Sequence, residues 1–230
     1  MSTYNDADIK AKTLGTWHGG DFALLNYPPR WYERWAGVND TTRLVLDFKE
    51  GMRDAIDLVS RMADGAVAKQ VAHIRDTLGC GYVAVAPTSQ AGERNVGCEM
   101  VAKTLAARYP FLRHLPGALV RTASLTPSHL GGAHSVDEHM ASMQYAGPVL
   151  APDLSSLHCV PCNRYFQGEV GFAWHLEHIH KQPPAAPRAF LLIDDVITHG
   201  RTGEACRRVL MAATRAPAVH GFYVAKTNGW

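Results

Sequence analysis

The sequence predicts an α/β protein, a parallel sheet flanked by helices and interrupted by a small ββα insertion, and three observations carry that expectation. Residues 190–193, Phe-Leu-Leu-Ile, form an apolar run too short for a helix, of the kind that makes a strand buried on both faces of a parallel sheet. Strand-like and helix-like stretches alternate: GYVAVA at 81–86 precedes a loop and a helical pattern at 96–108, and 190–193 precedes a loop and a segment at 203–213 with Ala205, Val209 and Ala212 or Ala213 on one face. Between them, Cys159 and Cys162 are followed after twelve residues by His175 and after four more by His180, the spacing of a compact ββα unit.

Along the chain, residues 1–40 are rich in Trp, Tyr, Pro and Gly, with Trp17, Trp31 and Trp35 but no sustained periodicity, and read as an irregular lead-in wrapped on the core. The alternation of TRLVLDF at 42–48 predicts a strand. Helical spacing of Met52, Ala55, Ile56, Leu58, Val59 and Met62 predicts a helix over 51–62, and a second is expected over 66–78. The strand at 81–86, the loop PTSQAGERNVG and the helix at 96–108 follow, then a strand at 118–122. Residues 123–144 are a long polar stretch with a glycine pair, which reads as a functional lid. The domain expected over 41–230 is thus interrupted by an insertion at 155–182.

A chain of 230 residues suits one α/β domain with an embellishment. Its net charge of +2 gives no general attraction to nucleic acid. No apolar run approaches the roughly 20 residues of a membrane span, and the first residues lack the apolar core of a secretory signal, so a cytoplasmic protein without a membrane partner is expected. The five cysteines, at 80, 98, 159, 162 and 206, form no even disulfide ladder.

The insertion points to structural zinc bound by Cys159, Cys162, His175 and His180 in a closed tetrahedral set. Phe166, four residues after the second cysteine, and Phe172, three before the first histidine, stand where such a unit places its small core. So short a unit cannot be held by burial alone, and ligation would supply most of its folding free energy. The fourth ligand is His180 or His178, with His180 at the more usual spacing, and His158 lies close by in sequence. If His175 is the seventh helical residue, the positions that would face DNA bases hold Gly168, Gly171 and Trp174, none of them a base-reading side chain. Trp174 is left to pack on the host domain, to meet a protein, or to stack on a single-stranded base.

The stretch that follows, FLLIDDVITHGRT, carries the chemistry. Asp194 and Asp195 come at the C-terminal end of a buried strand, where open α/β sheets bind ligands, and two carboxylates there can accept from vicinal hydroxyls or hold a hydrated divalent cation. Thr198, Gly200 and Thr202 then shape a loop at a helix N-terminus, where backbone N–H groups attract phosphate.

DDVITHGRT resembles the phosphoribosyl pyrophosphate (PRPP) motif of type I phosphoribosyltransferases, two acidic residues followed by TxGxT. Over roughly residues 40–227 the order of elements resembles that whole domain, most of all its ComF-like branch. VAVAP with GERNVG resembles the branch's strand and pyrophosphate loop, residues 100–107 its next helix, and LVLDFKEG its early strand. The chain departs from the branch in lacking an N-terminal four-cysteine zinc module and in carrying the finger between lid and PRPP strand.

The resemblance implies a type I phosphoribosyltransferase fold and a Mg²⁺-dependent transfer of phosphoribosyl from PRPP to a nucleobase or other nitrogen nucleophile, with release of pyrophosphate. It implies that Asp194 and Asp195 hold the ribose hydroxyls, directly or through the metal's waters, and that Thr198, His199, Gly200, Arg201 and Thr202 cradle the 5′-phosphate. Thr88, Ser89 and Arg94 are the candidates for the pyrophosphate side. His129, His134 and His139 in the lid are candidate proton donors, with Asp137 and Glu138 beside them. Two other readings stand: a PRPP-sensing or nucleic-acid-binding regulator without turnover, and a zinc-dependent interaction module on an inert scaffold. Family members often pair, so a homodimer is a further expectation. The short linker from His180 to Phe190 places the finger where it could cover or shape the pocket.

Overall fold

The computed structural model describes residues 13–18, 21–27, 40–73, 81–126, 134–147, 158–159, 162–166, 169–180 and 189–227. Trp31, Trp35, His129, Gly168 and the C-terminal part of the helix expected at 66–78 lie outside them.

A six-stranded sheet has the order β1-β2-β10-β9-β3-β4. These strands are β1 (Thr13–His18), β2 (Asp21–Tyr27), β3 (Gly81–Val85), β4 (Leu112–His114), β9 (Ala189–Ile197) and β10 (Val219–Thr227). Five of them, from β2 to β4, run parallel, and β1 turns back antiparallel on β2. Within the lead-in, residues 13–18 and 21–27 are therefore strands, and β2 is an integral strand beside β10. Asp21 secures it, accepting from Gly221 N at 2.9 Å and from Arg207 at 2.5 Å.

Strand alternation divides the core into two layers. Leu191 and Ile193 of β9, with Val83 and Val85 of β3, face helices α1 (Asp40–Lys49), α2 (Arg53–His73) and α3 (Val96–Arg108). Phe190 and Leu192, with Tyr82 and Ala84, face α6 (Arg201–Thr214) and a small antiparallel pair, β5 (Leu119–Arg121) with β6 (Met143–Tyr145). The Tyr82 and Phe190 rings meet at 5.8 Å in this second layer.

The strand expected at 42–48 is instead helix α1. Its buried residues Thr41, Leu44, Val45 and Phe48 fall at i, i+3, i+4 and i+7, one helical face, whereas the alternation of Leu44, Leu46 and Phe48 mimics a strand. The two helices expected after it are one, α2, since Gly65 is exposed with nothing near it and a single such glycine is tolerated. The polar stretch at 123–144 is partly regular: α4 (Val136–Ala141) opens on a capping box in which Ser135 and Glu138 satisfy each other's backbone N–H, and β6 follows. The insertion folds as ββα, with β7 (His158–Cys159) antiparallel to β8 (Arg164–Tyr165) and then α5 (Glu169–Ile179).

Helix α1 ends against the start of α3 at Gly97, where a Cβ would stand 2.5 Å from the Phe48 carbonyl oxygen and 3.0 Å from its ring. Gly97→Ala is expected to lower stability by about 1–2 kcal/mol, overpacking outweighing the gain in helix propensity. Urea denaturation checks this, with a lower midpoint at unchanged slope as the expected result.

Candidate functional site

Pairing of β3 with β9 ends at Val85 opposite Ile193, while β10 accompanies β9 as far as Ile197. Beyond Ile193, β9 therefore has a strand on one side only, and the chain leaving β3 turns to α3 on one layer while the chain leaving β9 turns to α6 on the other. This divergence is the topological switch point at which open α/β sheets form their ligand crevice. Asp194 and Asp195 lie in the C-terminal half of β9 at that unpaired flank, where β10 carries the ladder four residues further than β3 does.

Being adjacent in a strand, the two carboxylates face opposite layers. Asp195 faces the α1 side, where Lys49 Nζ lies 3.0 Å from its Oδ2. Asp194 is buried toward the other layer, within electrostatic reach of the buried Arg121 of β5. Burial, then the neighbouring Asp195, pushes the Asp194 carboxyl up to about 8. Asp194 is thus protonated at neutral pH in the ligand-free protein, and the pair avoids two adjacent charges in a desolvated place.

Arg121 forms no ion pair among the described residues. It donates to Thr88 O at 3.0 Å and to Ser142 Oγ at 2.6 Å, tying β5 and β6 to the loop after β3. That loop carries Thr88 and Ser89, both half-buried: the Thr88 hydroxyl exchanges hydrogen bonds with Gln90, and Ser89 O accepts from Leu125 N at 2.8 Å. Arg94 is exposed and lies over Gly117, 3.7 Å from where its Cβ would stand, and beside Glu99. Arg94 is thereby set on the β4–β5 turn.

Thr198, His199 and Gly200 form the bend after β9. Gly200 takes φ 70° and caps α6, the left-handed conformation that glycine adopts without strain, and no side chain caps this helix start. The helix begins at Arg201, two residues earlier than expected, so Arg201 and Thr202 occupy its first turn. Gly203 adjoins Tyr223, whose hydroxyl fills the space a Cβ would need. His199 is exposed, and the Arg201 guanidinium donates to His134 O at 3.1 Å. Buried His139 of α4 places Nε2 3.5 Å from Thr202 Oγ1. Burial first, then Arg121, holds its imidazole down to about 4, so it is neutral at physiological pH.

The crevice therefore gathers Asp194, Asp195, Thr88, Ser89 and the 198–202 turn around the ends of β3 and β9. Sequence reasoning missed Lys49 and Arg121. An arginine ending the apolar run Ala-Leu-Val at 118–120 was a signal for the latter; Lys49 had none while its segment read as a strand.

In the insertion, the ligand atoms of Cys159, Cys162, His175 and His180 all lie within 4.8 Å of one another. His180 Nε2 is 3.0 Å from Cys159 Sγ, 3.1 Å from Cys162 Sγ and 3.2 Å from His175 Nε2. Nitrogens about 2.0 Å from a tetrahedral zinc would stand roughly 3.3 Å apart, and two thiols with two imidazoles are a donor set that zinc favours. Phe166, Phe172, Leu176 and Cys159 make up its small core. His178 is turned away: Nδ1 lies 2.9 Å from Trp174 O and the ring stacks on Trp174 at 4.5 Å. Trp174 itself is 56% exposed. The finger meets the sheet through an ion pair of Glu177 with Arg113 of β4. Arg113 pairs with Tyr82, and Tyr82 with Phe190, which puts this tie four residues short of Asp194, roughly 13 Å along the strand. The tie is to the sheet's edge and not over the crevice.

No protein-family model matches the chain, and no curated protein matches it.

Two outcomes follow from these geometries. Elemental analysis is expected to find one zinc per chain, lost in Cys162→Ala and His180→Ala but kept in His178→Ala. The second concerns Asp194, whose folded-state value lies above its unfolded one: the folded protein holds a proton that the unfolded chain releases, so this group's contribution to stability falls as pH rises from about 4 to about 8 and is level above. In magnesium-free buffer, thermal melts of Asp194→Asn should exceed those of the parent protein by a margin that grows through that window, reaching more than about 1 kcal/mol at pH 8.

Proposed function

We propose that the protein is a phosphoribosyltransferase that takes PRPP and Mg²⁺ and transfers the phosphoribosyl group to a nucleobase or another nitrogen nucleophile. The observation that carries this reading is the coincidence, at one switch point, of an adjacent carboxylate pair on the unpaired flank of β9 and a glycine-started helix whose first N–H groups have no side-chain cap.

In this reading the ribose lies against β9. Asp194 and Asp195 accept from its vicinal hydroxyls, and the start of α6 with Thr198, Gly200 and Thr202 receives the 5′-phosphate through backbone N–H groups. Thr88 and Ser89 stand across the crevice on the pyrophosphate side. The same two carboxylates offer hard oxygen donors, one of them buried and without an ion-pair partner among the described residues, and so fit Mg²⁺ held partly through its waters. When bound, Mg²⁺ neutralises charge on the pyrophosphate. As the C1′–oxygen bond breaks, pyrophosphate leaves with the electron pair and the nitrogen lone pair forms the new bond to C1′. The buried layers beneath the pair keep bulk water from the cationic sugar on that side.

The test is to incubate the purified protein with PRPP, Mg²⁺ and a panel of nucleobases and measure pyrophosphate release. Release with at least one base, lost together with PRPP binding in the Asp194→Asn, Asp195→Asn double variant, is the expected result. PRPP binding without release from any base would identify a PRPP-sensing regulator, and undiminished PRPP affinity in the double variant would remove the assigned pocket.

A further inference from the structure

Among the described residues, Lys49 is the basic residue that forms an ion pair with the acidic pair. Its ammonium lies 3.0 Å from Asp195 Oδ2, with the lysine side chain 43% exposed and the aspartate 22%. An ion pair this open to solvent stabilises a fold by about 0–1 kcal/mol, too little to explain a cation placed so definitely. The placement is built by packing: α1 ends at Lys49, and the preceding Phe48 carbonyl is seated against Gly97 in the first turn of α3, the helix that follows the Thr88–Ser89 loop. One close approach thus sets the end of α1, and with it the lysine, beside Asp195 of β9.

Of the arginines near the crevice, Arg121 is buried with donors on Thr88, His139 and Ser142, and Arg201 donates to His134 O. A ligand that brings hydroxyls or a hydrated cation to Asp195 competes with the ammonium for the same oxygen. A lysine's flexible four-carbon stem lets the head group move several ångströms without disturbing α1.

We infer that Lys49 is an anion-binding residue of this crevice, which leaves Asp195 for the diphosphate of the incoming ligand. The inference rests on the function proposed above for the ligand's identity, but its geometry requires only a diphosphate. Before the ligand arrives Lys49 neutralises Asp195; once Asp195 turns to the ligand's hydroxyls, the ammonium offsets charge on the leaving group. Lys49 is then a substrate-binding residue on the pyrophosphate side, opposite the α6 phosphate cradle.

Calorimetric titration with inorganic pyrophosphate in excess Mg²⁺, repeated with PRPP, tests this on the intact chain, Lys49→Gln and Lys49→Arg, with thermal melts to verify folding. Lys49→Gln should weaken pyrophosphate about tenfold or more, the size of one charge-assisted contact, and Lys49→Arg should stay within a few-fold of the parent. Pyrophosphate binding that is unchanged or tighter in Lys49→Gln would overturn the inference and leave Lys49 a counter-ion. Lys49-dependent pyrophosphate binding with no PRPP binding would uphold Lys49 and remove the phosphoribosyltransferase reading. PRPP binding indifferent to Lys49→Gln would do the reverse, and a parent protein that binds neither would remove both.

Discussion

The structure depends on one strand being supported unequally on its two sides. β9 is paired with β10 from Phe190 to Ile197 but with β3 only as far as Ile193. Up to that point both faces are packed with Phe190, Leu191, Leu192 and Ile193, and a polar residue would be costly. After it, the absence of a β3 neighbour opens a flank where carboxylates can meet a ligand, while β10 still holds the backbone rigid. Asp194 and Asp195 begin at the first residue past this boundary. Shifting the ladder with β3 by two residues would close that flank beside both acids.

The same alternation gives the two acids different electrostatic lives. Asp195 faces the α1 layer and has the Lys49 ammonium against it; Asp194 faces the β5–β6 layer, where Arg121 is near but has its donors on carbonyls and a hydroxyl. One acid is neutralised by a partner, the other by a retained proton. A polar ligand arriving here meets a pair with little net charge, so the cost of bringing phosphates beside carboxylates is reduced before any contact forms.

Much of this was legible in the sequence wherever one period dominated. Residues 190–193, 81–86 and 96–108 carry unambiguous patterns, and the acidic pair with its glycine turn follows directly from the first. The four metal-site residues were legible because ligand spacing is a chain-length constraint that tertiary packing does not rewrite; that spacing already favoured His180 over His178, and the structure groups His180 with the other three while turning His178 onto Trp174. Legibility failed where a segment satisfied two periods. In 42–48, Leu44, Leu46 and Phe48 alternate, yet Thr41, Leu44, Val45 and Phe48 form a helical face, and the buried threonine that decides between them is not apolar. That misreading concealed Lys49, since only a helix ending against Gly97 delivers it to Asp195. The β2 strand was obscured by a different cause: its Asp21 anchor answers to Arg207 and Gly221, some two hundred residues away, and such contacts leave no local pattern.

The finger illustrates how far proximity in sequence can mislead about proximity in space. It ends at His180, a few residues before β9, yet its ion pair with the sheet is made at Arg113 on edge strand β4, at the level of Tyr82 and Phe190, while the crevice opens past Ile193. A parallel strand enters the sheet at one end and presents its ligand groups at the other, so an insertion just ahead of such a strand arrives at the end away from the site. With a core of three buried residues among those described, the finger is too small to be held by burial alone, and its four potential metal ligands stand where ligation would order it.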